Sequence, residues 1–281
     1  MPSRDVLATD GTRLSVHDLG GSGRPLLLVH ATGFHARAYA PLASHLARHA
    51  HVYGLDLRAH GASDRSAAGD LEWSRFGEDV LAALGGLALE RPIGVGHSCG
   101  GAALVLAELA RPKSFALLYL FEPMVIPAPA RRRAGVERLA DQARHRRARF
   151  ATRAEALERY ASRAPLAVLD RACLAAYVEH GFVDSPDGGV VLACDPEDEA
   201  RVFEAALRCQ VDERLGELDC PVVVAFGSSS DRFSRDVAAA TAAGIDGAVL
   251  AAVDGVGHFG PLEDPARVAG SIVAAIEAAR A

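Results

Sequence analysis

Residues 92–110 read PIGVGHSCGGAALVLAELA, and the junction inside them decides the architecture. PIGVG is short, apolar and glycine-containing, as a buried strand would be. From Gly101 the residues are apolar nearly all round, which reads as a deeply buried helix. Between them Gly96-His97-Ser98-Cys99-Gly100 fits Gly-x-Ser-x-Gly, a weak signal on its own. Set between strand and helix it becomes specific. Such a tight turn strains its apex residue and needs small residues two positions before and after. It lifts the Ser98 hydroxyl above the sheet and aims the first helix amides, that of Cys99 included, at any anion forming there.

Working outward, short apolar runs alternate with helical patterns, which predicts an α/β fold with a mainly parallel sheet. A hairpin passes through RLSVHDLG. Strands are expected at 25–30, 51–56, 92–96, 115–122, 220–227 and 247–255. Tyr39, Leu42, Ala43 and Leu46 repeat at helical spacing, as do Val268, Ile272, Val273 and Ile276 after an Asp264-Pro265 start. Residues 128–215 break the alternation with Arg-rich amphipathic helices and no strand before VVLAC at 190–194. The expected organisation is a core of residues 1–127 and 216–281 with a helical cap inserted at 128–215. The cap's arginines (131–133, 144, 146, 147 and 149) are interleaved with Glu and Asp, as on a solvated helix face.

The 281 residues are 50% hydrophobic, enough for a sizeable core, and the net charge of −6 gives no electrostatic case for nucleic acid. No run reaches the ~18 apolar residues of a membrane span, and the N-terminus lacks the apolar stretch of a secretory signal. The five cysteines form no CxxC pair, which argues against a disulfide framework and a zinc site. A cytoplasmic protein without metal or other cofactor is the expectation. A homodimer is left open.

A serine hydroxyl needs a base. VDGVGHFGPLEDP places His258 in a Gly-flanked loop between the last strand and the final helix. The base in turn needs an anion behind it, and two residues compete. Asp231 follows the penultimate strand in VVVAFGSSSD. Glu122 closes the strand after the nucleophile helix in ALLYLFEPMVIP, where a carboxylate among Leu, Tyr, Phe and Met is expensive without a partner. Physical reasoning favours Glu122, because Ser230 or Asp231 can serve as a cap for the helical segment RDVAAATAA.

These segments together resemble the α/β-hydrolase superfamily over nearly the whole chain. LLLVHATGFHARAY and GLDLRAHGASD are similar to the family's H-G-x-x-G and D-x-R-G-H-G-x-S segments, with Ala31 and Ala59 standing where glycine is usual. The order nucleophile, acid, histidine also fits. The resemblance implies that the backbone N–H groups of Thr32 and Cys99 form the oxyanion hole, with a slightly altered backbone at Ala31. Asp56, Arg58 and His60 would be architectural braces. LFEPM resembles the E-P segment of the zearalenone-lactonase-like branch, which completes a Ser-His-Glu triad.

The expected function is a cofactor-free serine hydrolase cleaving an ester or lactone of a hydrophobic small molecule. Trp73, Met124 and Val125 would line its apolar pocket. The same machinery could act on a carbon–carbon or amide bond or in perhydrolysis, and a non-catalytic ligand receptor is a rival of another class. Its intact Ser-His pair speaks against the receptor.

Overall fold

The computed structural model describes residues 2–125, 135–231 and 233–280. The strands are β1 (Ser3–Leu7), β2 (Arg13–Gly21), β3 (Arg24–Val29), β4 (Ala50–Leu55), β5 (Ile93–His97), β6 (Leu117–Phe121), β7 (Arg149–Phe150), β8 (Phe182–Asp184), β9 (Val190–Leu192), β10 (Val222–Gly227) and β11 (Val249–Val253). The helices are α1 (Ala40–Leu46), α2 (Trp73–Gly86), α3 (Cys99–Ala110), α4 (Val136–Arg144), α5 (Arg153–Ala161), α6 (Arg171–His180), α7 (Pro196–Ala206), α8 (Arg235–Ala243), α9 (Gly260–Glu263) and α10 (Pro265–Ala278).

Eight strands form one sheet in the order β1-β2-β4-β3-β5-β6-β10-β11, antiparallel only where β2 meets β1 and β4. Strand side chains alternate between faces, so both faces are apolar and both are covered. Leu27, Val29, Leu118 and Leu120 share one core cluster with residues of α2 and α3. Leu26, Leu28, Tyr119 and Phe121 share the other with residues of α1 and α10. Helix α3 is buried except at Leu106 and Ala110, as its uniform apolarity predicts. Asp264 caps α10, its side chain accepting from the Arg267 amide.

The segment between β6 and β10 holds the strand expected at 190–194, as β9, and two that were not expected. Besides α4 to α7 it holds a three-stranded antiparallel sheet, β7-β9-β8. Strands of two or three residues are too short to imprint a period-2 pattern. Its end, a 3-10 turn at Val211–Glu217, buries Val211 and Leu215 in the same cluster as α3. Arg131, Arg132 and Arg133 lie outside the described residues.

The braces behave as expected. Asp56 is buried and accepts from His17 Nε2 (2.8 Å) and from the amides of Ala36 (2.7 Å) and Ala62 (2.8 Å). Arg58 is sealed against Asp79 by two bonds, Nε to Oδ2 (2.9 Å) and Nη2 to Oδ1 (2.6 Å). Ala59 sits at φ 61°, which explains the usual glycine there; Ala31 is not at positive φ, so its methyl needs no special backbone.

Helix α2 ends in a Schellman turn. The Leu89 amide donates to Leu84 O (2.9 Å) and the Ala88 amide to Gly85 O (3.1 Å), with Ala88 exposed at φ 51°. That position favours glycine, because a Cβ crowds the following carbonyl. Ala88→Gly is therefore expected to stabilise the fold by about 1 kcal/mol, read as a higher urea midpoint with unchanged slope. A lower midpoint would show that the Ala88 methyl contributes more than its backbone strain costs.

Candidate active site

The parallel register brings three strand ends to one level. His97 pairs with Phe121 across β5 and β6, and Ala225 pairs with Phe121 across β10 and β6. Ser98 and Glu122 are thus neighbours beyond the carboxyl edge of the sheet, where open α/β sheets bind ligands. Ser98 lies at φ 52°, ψ −115°, in the tight turn expected of it. Its amide donates to Phe121 O (3.0 Å), and its carbonyl accepts from the Met124 amide (2.9 Å). A Cβ on Gly96 would meet Gly101 Cα at 2.6 Å, and one on Gly100 would meet Val29 O at 2.2 Å. The backbone contacts are too close for any side chain, which is the physical reason for both glycines.

Glu122 is buried at φ 43°, a rare conformation for a residue with a Cβ. Its Oε2 lies 2.6 Å from His258 Nδ1 and accepts from Ser230 Oγ (3.0 Å), while Oε1 accepts from the Gly227 amide (2.9 Å). The β10 terminus, which leads into the loop of the rival Asp231, thus supplies donors to Glu122. Asp231 is exposed, and among the described residues no hydrogen bond or ion pair joins it to His258. The cap of α8 is Ser234, whose side chain accepts from the Val237 amide, not Ser230 or Asp231; the Ser230 hydroxyl donates to Glu122 and accepts from the Phe233 amide (3.2 Å).

A carboxylate accepts only, so His258 Nδ1 carries the proton and Nε2 keeps a lone pair. The histidine loop is pinned by Glu263, whose carboxylate accepts from the amides of Gly257 (2.8 Å) and Phe259 (3.0 Å). It is pinned again by His97, whose Nε2 lies 2.9 Å from His258 O. Burial, with His258 nearby, holds the His97 pKa well below the ordinary imidazole value. The neutral ring therefore donates from Nε2 and accepts at Nδ1 from Tyr39 Oη (2.7 Å). Tyr39 Oη accepts in turn from the Ala31 amide (3.1 Å). Sequence reasoning assigned no role in the site to Tyr39, which it placed on a helix face, nor to His97 or Glu263. Only Glu263 left a hint, as a carboxylate five residues after the histidine.

A cavity of about 840 Å³ opens over these residues, with Thr32, Ser98, Glu122, Met124 and His258 in its wall. Among the described residues, no hydrogen bond joins the Ser98 and His258 side chains; such contacts often tighten only with substrate. The amides of Thr32 and Cys99 have no internal acceptor among the described residues. Burial pushes the Cys99 thiol up to about 12, so it is no thiolate nucleophile.

Two expected pocket residues lie elsewhere. Trp73 is buried at the start of α2 and donates from Nε1 to Val202 O (2.8 Å), pinning α2 to α7. Val125 is fully buried in the core cluster that also holds Trp73. Only Met124 of the three reaches the cavity. The wall is not purely apolar: beside Phe34, Phe203 and Phe259 it includes Arg146, Arg159 and Arg163. No group of three His, Cys, Asp or Glu side chains is placed to hold a metal ion among the described residues. No helix there is long and apolar enough to cross a membrane.

Residues 26–271 match the model of the Alpha/beta hydrolase family. A curated relative, (E)-2-((N-methylformamido)methylene)succinate hydrolase of Acinetobacter baylyi, is 33% identical over 92 residues, 33% of this chain and 35% of that protein. A putative non-heme haloperoxidase of Mycobacterium phage D29 is 32% identical over 127 residues, 43% of this chain and 44% of that protein. These matches span less than half the length of either relative. Among solved structures, E-2-(acetamidomethylene)succinate hydrolase superposes with a TM-score of 0.86 at 22% identity, covering 98% of this chain and 99% of that one. A Rhodococcus esterase superposes with a TM-score of 0.77 at 21% identity, covering 99% of each chain.

Proposed function

This chain belongs to the alpha/beta hydrolase family, and from that premise we propose that it is a serine hydrolase working through an acyl-enzyme on an ester or lactone. The observation that carries the reading is the 2.6 Å bond from His258 Nδ1 to a carboxylate held by two further donors. It fixes the tautomer in which Nε2 can accept the Ser98 proton. Ser98 Oγ then adds to the acyl carbon, and the amides of Thr32 and Cys99 receive the oxyanion. Collapse expels the alcohol, protonated by His258. Water, deprotonated by the same nitrogen, adds to the acyl-enzyme and releases the acid and free Ser98. Residues 136–210 act as the lid that sets specificity.

A second reading keeps every residue and changes the bond. Two relatives above are named for substrates bearing an amido group, which favours an amide C–N bond. Its leaving nitrogen needs a proton more than an alkoxide does, and His258 supplies it.

A fluorophosphonate probe is expected to label the native chain at Ser98, located by peptide mass spectrometry, and to leave Ser98→Ala unlabelled. A folded native chain that stays unlabelled, or labels elsewhere, would sink the serine mechanism.

A further inference from the structure

We propose that Arg159 and Arg163 form an anion-binding subsite in the cavity wall, so that the substrate is an acyl compound with an ionised carboxylate remote from the cleaved bond. The proposal rests on the serine-hydrolase reading for what is cleaved, but not for what is bound.

The charge distribution of the wall singles out these two residues. Arg146 is engaged by Glu199 (2.6 Å) and Tyr177 Oη (2.8 Å). Arg147 is engaged by Glu155 (2.6 Å) and Arg149 O (2.9 Å), and stacks over Phe150. Glu122 and Glu199, the acidic residues of the wall, are both already partnered. Arg159 and Arg163 remain, and neither guanidinium has an ion pair or side-chain hydrogen bond among the described residues. Glu155 acts on Arg159 only through space, its own carboxylate being bound by Arg147 and the Ala151 amide.

Arg159 lies in the last turn of α5, and Arg163 follows four residues later, beyond the helix end at Ser162. Both thus enter the cavity wall from the C-terminal end of α5, Arg159 half-buried and Arg163 exposed. Guanidinium groups match a carboxylate in pairs of parallel N–H···O bonds, and unpaired positive charge in a cavity wall attracts an anion. The same wall includes Phe34, Met124, Leu166 and Phe259 beside Ser98 and the two arginines. The complementary ligand therefore has an apolar body with a carboxylate at one end and the acyl bond elsewhere. An uncharged hydrophobic substrate would leave both guanidinium groups unused.

Two 4-nitrophenyl esters test this: the glutarate half-ester, which carries a free carboxylate, and its uncharged methyl ester. The native chain is expected to favour the half-ester in kcat/KM. Arg159→Ala/Arg163→Ala should lower kcat/KM for the half-ester by about 10- to 100-fold, as expected for lost hydrogen bonds to a charged group, with the methyl ester changed less than about threefold. Arg159→Lys/Arg163→Lys should restore part of the preference. Equal losses on both esters, or no loss on either, would overturn the subsite. Calorimetric binding of glutarate to Ser98→Ala, with and without the arginine substitutions, separates the two readings. Binding that needs the arginines upholds the subsite even if neither ester is hydrolysed. Absent binding, or binding indifferent to the arginines, overturns it.

Discussion

Glu122→Gln is expected to lower kcat by about 10³- to 10⁴-fold, the size seen when the orienting carboxylate of a serine triad is made neutral. The amide keeps the volume and removes the charge behind the imidazolium. It also sets two new donors against the three already aimed at this group, from Gly227, Ser230 and His258. At most one oxygen can receive them, so the His258 tautomer is no longer fixed. Asp231→Asn should stay within a few-fold of the native chain, because Asp231 is exposed and apart from the histidine. Matched circular dichroism and thermal melts exclude misfolding as the cause. A large loss from Asp231→Asn beside a small one from Glu122→Gln would move the acid to the loop.

Asp79→Ala should cost stability as heavily as Glu122→Gln costs rate. Both members of the Arg58–Asp79 pair are fully buried, and removing the aspartate leaves a guanidinium with only Asp10 (2.9 Å) and the more distant Asp70 carbonyl (3.4 Å). Breaking one side of a buried pair costs about 3–5 kcal/mol, against well under 1 kcal/mol for a typical exposed pair. Urea unfolding at neutral pH would show the loss as a lowered midpoint. The double change Arg58→Met/Asp79→Leu should recover much of it, since an apolar pair needs no compensating charge. A loss below about 1 kcal/mol in Asp79→Ala would mean that Asp10 alone suffices to hold Arg58.

The parts legible in the sequence are those where one local signal settles the matter. The sheet strands announce themselves as apolar runs, and the elbow by two glycines that its backbone contacts require. Glu122 was legible because a carboxylate inside an apolar strand demands a partner. The surroundings of Glu122 were not, since Gly227 and Ser230 come from a strand end and loop more than 100 residues away. Trp73 misled because a large aromatic near a lid suits a pocket as well as a helix contact, and only packing decides. Composition also hid the cavity's charge. Some cap arginines form solvated pairs, such as Arg144 with Glu197 and Glu204, yet Arg146 turns inward to Glu199. Nothing in the local pattern separates the two fates.

The chain Ala31–Tyr39–His97–His258 runs from the loop of the Thr32 amide, through the residue beside Ser98, to the carbonyl of His258. Each link has one allowed polarity, so no member can flip without orphaning a buried group. The Thr32 loop, the serine turn and the histidine loop are thereby tied like the arms of one caliper. A displacement of any arm is passed to the others, and the gap between them, the proposed place of the acyl carbon, keeps its width.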